Sequence, residues 1–259
     1  MKTNSVVRGY LSYSIRKLFA YRIYIISEII GSLLLPIVLN FFLWKSLLQS
    51  NTIGYSLNEM MRYIIISNVI LLFTQVRVEG EIEKDIKTYR FGQKLLLPVG
   101  YIKDKVFRYI SNGIVRFTII YMPIIIITTN KLPGNLIYTC IFLIIAFLLN
   151  ALLSFIIGFL SFWMTEIWGV AAIRSLSIGL LSGAIFPLDI LPVSIQRIML
   201  FTPFPYMTYI PSKLICDPHF SFEIVKEGFF IASTWMAIFY LIAFTLMKNG
   251  MKKYTSNGA

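Results

Sequence analysis

Residue types that could carry covalent or metal chemistry are scarce in this chain. It has 259 residues, with a single histidine and two cysteines. His219 has no neighbouring Cys or His, whereas a zinc ion needs three or four ligands, so we predict no metal site and interpret His219 as an exposed loop residue. Cys140 lies in an apolar run and Cys216 in a polar connection, which argues against a disulfide framework.

Motifs that bind nucleotides or activate nucleophiles are also missing. The sequence has no G-x-x-x-x-G-K-[ST] loop, no H-E-x-x-H and no G-x-S-x-G. We therefore predict no catalytic residue and no directly bound cofactor. The protein is not expected to perform covalent chemistry by itself.

Three charged residues stand inside long apolar stretches. Glu28, Arg116 and Arg174 lie about 6–11 Å from the ends of their stretches, at ~1.5 Å per helical residue. An unpaired charge in lipid costs about 2.5–3.5 kcal/mol. We expect Glu28 to pair with Arg116 or Arg174 in one intramembrane cluster. The alternative is that each side chain reaches the headgroups separately.

Residues 77–108 are the most charged stretch, and acids alternate with bases in RVEGEIEKDIKTYR. Glu83 and Lys87 have the i, i+4 spacing that favours a short solvated helix, and Ile82 and Ile86 give this helix one apolar face. A charged helix with an apolar edge suits a protein partner. An ordinary solvated hairpin is the alternative.

Residues 179–216 carry five prolines in an apolar context. Proline removes an amide donor and breaks helices, and a broken backbone within lipid is tolerated only where protein or water satisfies the freed groups. The apolar run 195–201 is too short to cross a bilayer, so we predict a re-entrant segment in the outer leaflet. It could gate a pathway or serve only as a lid.

The composition identifies the elements that must position these residues. Hydrophobic residues make up 57% of the chain, charged residues only 14%, and the mean hydropathy is +0.75, whereas a soluble domain is about 25% charged. We predict an all-α membrane protein with six transmembrane helices, each near the ~20 residues that a bilayer requires. The predicted spans are 23–44, 61–76, 109–129, 136–163, 170–187 and 222–247.

Basic residues predict the orientation of these spans. Sixteen of the 24 Lys and Arg residues lie in 1–22, in 77–108 or beyond residue 247. Because positive charge marks the cytoplasmic side, both termini should be cytoplasmic. We interpret the basic excess as a record of orientation, with no nucleic-acid partner expected.

The chain divides into a leader and a six-span domain. Apolar residues recur with helical spacing in 1–22, which predicts an amphipathic interface helix in contact with membrane lipid. The six-span domain covers 23–259. Within it, 77–108 is the main cytoplasmic loop and 188–221 an extracellular or re-entrant region.

This layout resembles the permease subunits of type-2 ABC exporters, and two motifs carry the resemblance. One is a cytoplasmic "I-x-x-G…L-L-x-P" segment, in which Tyr89 replaces the usual glycine and Pro98 predicts a turn; it is represented by Ile86, Leu95, Leu96 and Pro98. The other is "L-S-G-x-x-F-P-L-x-x-L-P" with a following "T-P-F-x-Y". Its residues are Ser182, Gly183, Phe186, Pro187, Leu188, Leu191, Pro192, Thr202, Pro203, Phe204 and Tyr206.

The resemblance implies an assembly of four subunits. Two permeases, identical or homologous, would face each other above two copies of a separate ATP-binding subunit, which would hold ATP and Mg²⁺. A coupling helix would enter a groove of that ATPase through its charges and through Ile82 and Ile86. The coupling residues are Glu81, Ile82, Glu83, Asp85, Ile86, Lys87 and Arg90.

The resemblance also implies an outer gate and a transport pathway. The gate residues would be Ser182, Gly183, Phe186, Pro187, Pro192, Pro203, Phe204 and Tyr206. The first, second and fifth spans would line the pathway, and the leader helix would lie beside the coupling helix.

The resulting expectation is an exporter in a bacterial cell membrane. It would move an amphipathic or hydrophobic compound, such as a drug, a peptide antibiotic or a lipid-like molecule, by alternating access. A non-pumping immunity or assembly factor that binds a peptide or lipid partner is the alternative. An intramembrane enzyme is disfavoured because the nucleophiles and metal ligands are missing.

Overall fold

A computed structural model describes residues 3–48, 54–96, 99–129, 136–217 and 222–254. These residues form helices and no strand, which confirms the predicted all-α class. His219 and the predicted turn at Pro98 lie outside the described residues. The α-helices are α1 Thr3–Ala20, α2 Arg22–Ile29, α3 Leu35–Leu47, α4 Leu57–Thr74, α5 Glu79–Lys87, α6 Arg90–Leu95, α7 Tyr101–Arg116, α8 Met122–Thr129, α9 Leu136–Leu160, α10 Trp168–Leu181, α11 Val193–Leu200, α12 Tyr209–Cys216 and α13 Phe222–Lys253.

Five helical stretches among the described residues are long and apolar enough to cross a membrane. Two of them are continuous through π-helical turns, at Ile30–Leu34 between α2 and α3 and at Phe117–Tyr121 between α7 and α8. A third includes a non-helical break at 75–78, between α4 and α5. The five stretches are Ile26–Leu47, Leu57–Lys87, Tyr101–Thr129, Leu136–Leu160 and Glu223–Lys253.

The predicted fifth span, 170–187, is shorter than a membrane crossing requires. Its helix, α10, has 14 residues, or about 21 Å at 1.5 Å per residue, whereas the hydrocarbon core is about 30 Å thick. The helix ends because the chain turns at Gly183, whose φ of +78° is unfavourable for any residue with a side chain. Six full-length spans are therefore not seen in the described part of the chain.

α9 is the central wall of the bundle. Its buried residues lie on more than one face, and they contribute to three separate clusters. One cluster joins α9 to α4, α12 and α13, the second joins it to α5 and α6, and the third to α4 and the turn before α8. The helices that carry the candidate sites thus pack against one common scaffold.

Candidate functional site

The loop helix α5 lies directly against α9, with no room between the two backbones. A Cβ atom added to Gly158 would stand 2.7 Å from Cδ1 of Ile82 and 3.2 Å from Cα of Glu79. Ile82 is fully buried and Ile86 nearly so, in a cluster with Phe155 and other aromatic side chains. The two isoleucines therefore attach α5 to its own protein and are unavailable to a partner, so their predicted insertion into a groove of another subunit is wrong.

Asp85 is the centre of a polar network that joins α5 to α6 and α7. Its carboxylate is buried and lies 2.5 Å from the ammonium of Lys94 and 3.4 Å from that of Lys105. It also accepts a hydrogen bond from the Tyr101 hydroxyl at 2.9 Å. The fully buried Lys105 is in turn paired with Glu81. Asp85 therefore holds the loop together internally.

The α5–α6 corner is also closed by aromatic packing. Phe91 is fully buried, with its ring 4.9 Å from that of Tyr101, 5.2 Å from that of Phe162 and 5.4 Å from that of Tyr254. Tyr254 follows α13, so the C-terminal helix also fixes this corner. The described part of the loop 77–108 is thus a packed unit, which the alternative of an ordinary solvated hairpin did not anticipate.

One edge of this unit remains exposed. Tyr89 joins α5 to α6 with a left-handed φ of +55°. Lys87 is paired with Glu83 at 2.6 Å, while Arg90 extends into solvent. We call this exposed surface the coupling edge, after the predicted coupling helix. It consists of Lys84, Lys87, Thr88, Tyr89, Arg90, Leu95 and Leu96.

The three intramembrane charges form two separate pairs. The Arg116 guanidinium donates to both carboxylate oxygens of Glu28, at 2.8 and 2.9 Å. Each of these residues lies within two positions of a π-helical turn. Arg174 instead lies 3.1 Å from Glu79 of α5. The predicted single cluster is therefore replaced by two pairs, because α5 brings a second carboxylate, that of Glu79, next to Arg174.

The Glu79–Arg174 pair is buried and has further polar partners. Arg174 also donates to the Val76 carbonyl at 3.1 Å, and the Ser154 hydroxyl donates to Glu79. The Ser154 oxygen accepts the Val78 amide at 2.9 Å, one of the orphan donors at the start of α5. This network links α5, α9 and α10 at one point.

The chain from 182 to 187 is non-helical, and side chains of α4 satisfy its carbonyl groups. Tyr63 donates to the Gly183 carbonyl at 2.6 Å, and Ser67 donates to the Ala184 carbonyl at 2.8 Å. The Ser182 hydroxyl is buried with no partner in the described structure. A broken backbone within an apolar bundle needs such donors, which the sequence did not identify.

The rest of the predicted gate closes over this break. Pro187, Pro203 and Tyr206 are buried, Phe186 and Phe204 partly buried, and Pro192 exposed. The Tyr206 hydroxyl donates to the Leu200 carbonyl at 2.5 Å. The structure therefore brings most of the predicted gate residues into one folded region, in which the short helices α11 and α12 flank the Phe204–Met207 turn.

An ion pair connects α12 to the segment that follows the non-helical break. The buried ammonium of Lys213 lies 2.6 Å from the Asp189 carboxylate, which also accepts from the Tyr55 hydroxyl. Burial, followed by contact with Asp189, raises the pKa of Tyr55 far above its usual value. These three residues, which we call the outer latch, were not predicted.

The leader helix α1 packs along α7. Tyr10 stacks on Phe107 with the ring centroids 6.0 Å apart, and its hydroxyl bonds the Asp104 carboxylate. Burial, then this hydrogen bond, raises the pKa of Tyr10 to about 12. Tyr13 and Glu81 line a cavity of about 90 Å³ beside the helix. The leader therefore lies close to the loop unit.

Among the described residues, no group of three or more His, Cys, Asp or Glu side chains could hold a metal ion. The polar networks of these residues are instead ion pairs and hydrogen bonds, and most of the ion pairs join neighbouring elements. Comparison with known families supplies the remaining information. A family model described as "ABC-2 family transporter protein" matches residues 34–258. No curated protein matches the chain.

Proposed function

The chain belongs to the ABC-2 transporter family, and from that premise we propose that it is the permease subunit of an ATP-driven exporter. ABC-2 members are membrane components of transporters, and the long apolar helices agree with a multi-pass membrane protein. Two copies of a separate ATP-binding subunit would dock at the coupling edge. The cargo would be an amphipathic or hydrophobic compound.

The Glu79–Arg174 pair is the observation that carries this proposal. Glu79 begins the helix that leads to the coupling edge, and Arg174 lies in the helix that leads to Gly183 and the gate. A displacement of α5 would therefore be transmitted to α10 through a buried, hydrogen-bonded ion pair. Rigid helices joined in this way suit a switch between two discrete arrangements.

The closed gate has features that favour a second arrangement. The hydroxyls of Ser182 and Thr208 are fully buried without partners in the described structure. An unsatisfied buried hydroxyl costs about 1–3 kcal/mol, a cost that opening to water would remove. The outer latch would oppose opening, because Lys213 and Asp189 would have to separate.

A second permease subunit would cover α10. This helix is too short to cross the bilayer alone, and most of its surface is apolar and exposed. Trp168, Ile173, Leu176 and Leu180 are 79%, 65%, 66% and 56% exposed. A facing subunit, identical or homologous, would bury this surface in the membrane. With α10 and the chain that continues from it making the sixth crossing, both termini would lie in the cytoplasm, as the distribution of basic residues indicates.

Co-purification tests the proposal. The tagged permease, isolated from its native membrane, should bring down an ATPase, and Arg90→Glu combined with Lys84→Glu should reduce that yield strongly while leaving membrane insertion intact. The matched control is Lys45→Glu with Arg197→Glu, two exposed bases at the opposite end of the bundle. Full biological activity of the permease with no ATPase present would overturn the proposal and favour the non-pumping alternative.

A further inference from the structure

A side pocket of about 400 Å³ lies between α7, α9 and α13. This volume falls in the range of about 300–1,000 Å³ that is typical of ligand sites. Two small residues, Ala151 and Ala243, leave space within it. The main apolar side chains around it are Ile102, Val106, Phe147, Phe155, Phe244 and Met247.

The pocket opens towards the outside of the bundle. Tyr240 and Phe244 line it, are 59% and 49% exposed, and have stacked rings with centroids 6.3 Å apart. Both residues belong to the apolar stretch Glu223–Lys253, which is long enough to cross a membrane. The opening therefore faces the hydrocarbon of the bilayer and is accessible to lipid.

One exposed lysine lines this pocket, and a second lies beyond its lining on α13. Lys103 lines it and is exposed, and Lys248 is exposed one helical turn beyond Phe244 on the same face of α13. Neither lysine belongs to an ion pair within the described residues. Lys105 also lines the pocket, but its charge is already matched by Glu81 and Asp85. The pocket thus has an apolar body and one unpaired lysine in its lining, with a second unpaired lysine one helical turn beyond Phe244.

We propose that the pocket binds one anionic phospholipid, with an acyl chain among the aromatic residues and the headgroup phosphate between Lys103 and Lys248. Basic sites between membrane helices select anionic headgroups in this way. Because both lysines are positively charged, the site should prefer a lipid of net negative charge. The assignment of this lipid to the cytoplasmic leaflet rests on the orientation given in the proposed function. The proposal that the pocket binds the lipid does not depend on that orientation.

Native mass spectrometry of the purified full-length permease tests this site. The protein is washed in detergent and then given equal amounts of phosphatidylglycerol and phosphatidylcholine. We expect one retained phosphatidylglycerol per chain. Lys103→Gln with Lys248→Gln should lower its retention about 25-fold, since each of the two lysines near an anionic lipid contributes about fivefold.

A second variant tests the acyl-chain part of the site independently of charge. Leu148 lines the pocket and is 37% exposed, so Leu148→Trp should fill the space without disturbing the core and should lower retention of the lipid. Lys45→Gln with Arg197→Gln, which removes two exposed charges elsewhere, should leave retention unchanged.

Three results would overturn the proposal. They are equal retention of both lipids, unchanged retention in the Lys103/Lys248 double variant, and an equal loss in the Lys45/Arg197 control. Because the measurement uses the permease without any ATPase, these results leave the proposed export function untouched. Conversely, failure to find an ATPase would not alter the lipid measurement.

Discussion

Arg174 lies 3.1 Å from Glu79, so a residue that interrupts an apolar helix is bound to the first residue of the loop helix α5. Both side chains are buried. Removing one member of a buried pair leaves an uncompensated charge and typically costs about 3–5 kcal/mol, whereas removing both members costs much less.

Arg174→Met and Glu79→Gln should therefore each lower the thermal unfolding temperature in detergent, and the double variant should recover part of the loss. The exposed Lys84→Gln provides a control that should change little. Strictly additive losses in the double variant would show that the two residues do not depend on each other.

The pairing of Glu28 with Arg116 predicts selective rescue. Glu28→Arg should reduce the yield of monodisperse protein, because it places two arginines together at the membrane boundary. Adding Arg116→Glu should restore the yield, since the pair is re-formed with its charges exchanged. Adding Arg174→Glu should fail, because Arg174 contacts Glu79 instead. Rescue by Arg174→Glu alone would contradict the two-pair arrangement.

The close approach of α5 and α9 predicts an unusual effect of a single methyl group. Gly158→Ala places that methyl 2.7 Å from Cδ1 of Ile82, and overpacking of this kind costs about 1–3 kcal/mol. Ile82→Val removes the nearest atom and should partly restore stability. The matched control is Gly179→Ala, where a Cβ meets nothing within 4 Å; replacing this helical glycine should stabilise the protein by about 1 kcal/mol. Equal effects of the two alanines on unfolding temperature would exclude the steric explanation.

The left-handed conformation of Tyr89 predicts that glycine is the preferred residue there. A residue with a side chain loses about 1–2 kcal/mol in this conformation, so Tyr89→Gly should be more stable than Tyr89→Ala by about that amount. The alanine variant separates backbone strain from loss of the tyrosine side chain. Hydrogen exchange at the α5–α6 corner provides the measurement, and equal protection in the two variants would count against strain at this position.

Orientation can be tested by labelling in a variant in which Cys140 and Cys216 are replaced by Ser. A cysteine at Asn130, which lies outside the described residues, should react with an impermeant reagent added to intact cells. A cysteine at Lys94 should react only after the cells are opened. The reverse pattern would place the basic end of the bundle outside the cell and would overturn the proposed topology.

The helical class and most of the long apolar stretches could be predicted from the sequence, because apolar length is a local property. The sequence left two possible partners for Glu28, Arg116 and Arg174. Both lie at a similar depth in their apolar stretches, and depth alone does not decide between them. The burial of Ile82 and Ile86 was not predictable from periodicity alone. The sequence pattern of a charged helix with an apolar edge is the same whether that edge packs on a partner or on its own chain. Only Gly158, which has no side chain, indicates that another helix packs closely against α9.

In the gate region, the broken backbone could be predicted from nearby residues, whereas the side chains that satisfy it could not. The prolines indicated a broken backbone, because their effects on φ and on hydrogen bonding are local. The donors that satisfy the break, Tyr63 and Ser67, lie more than 110 residues earlier in the chain, and the outer latch joins residues separated by 134 and 24 positions. Contacts over such distances leave no periodic signal in a single sequence.

The short α10 also has a consequence for the surrounding bilayer. A helix of about 21 Å leaves several ångströms of hydrocarbon unmatched on one side, and a membrane answers such a mismatch by thinning locally or by bringing proteins together. The same polypeptide should therefore assemble differently in thin and thick membranes. Acyl-chain length would then act on this protein as a physical variable, independent of headgroup chemistry.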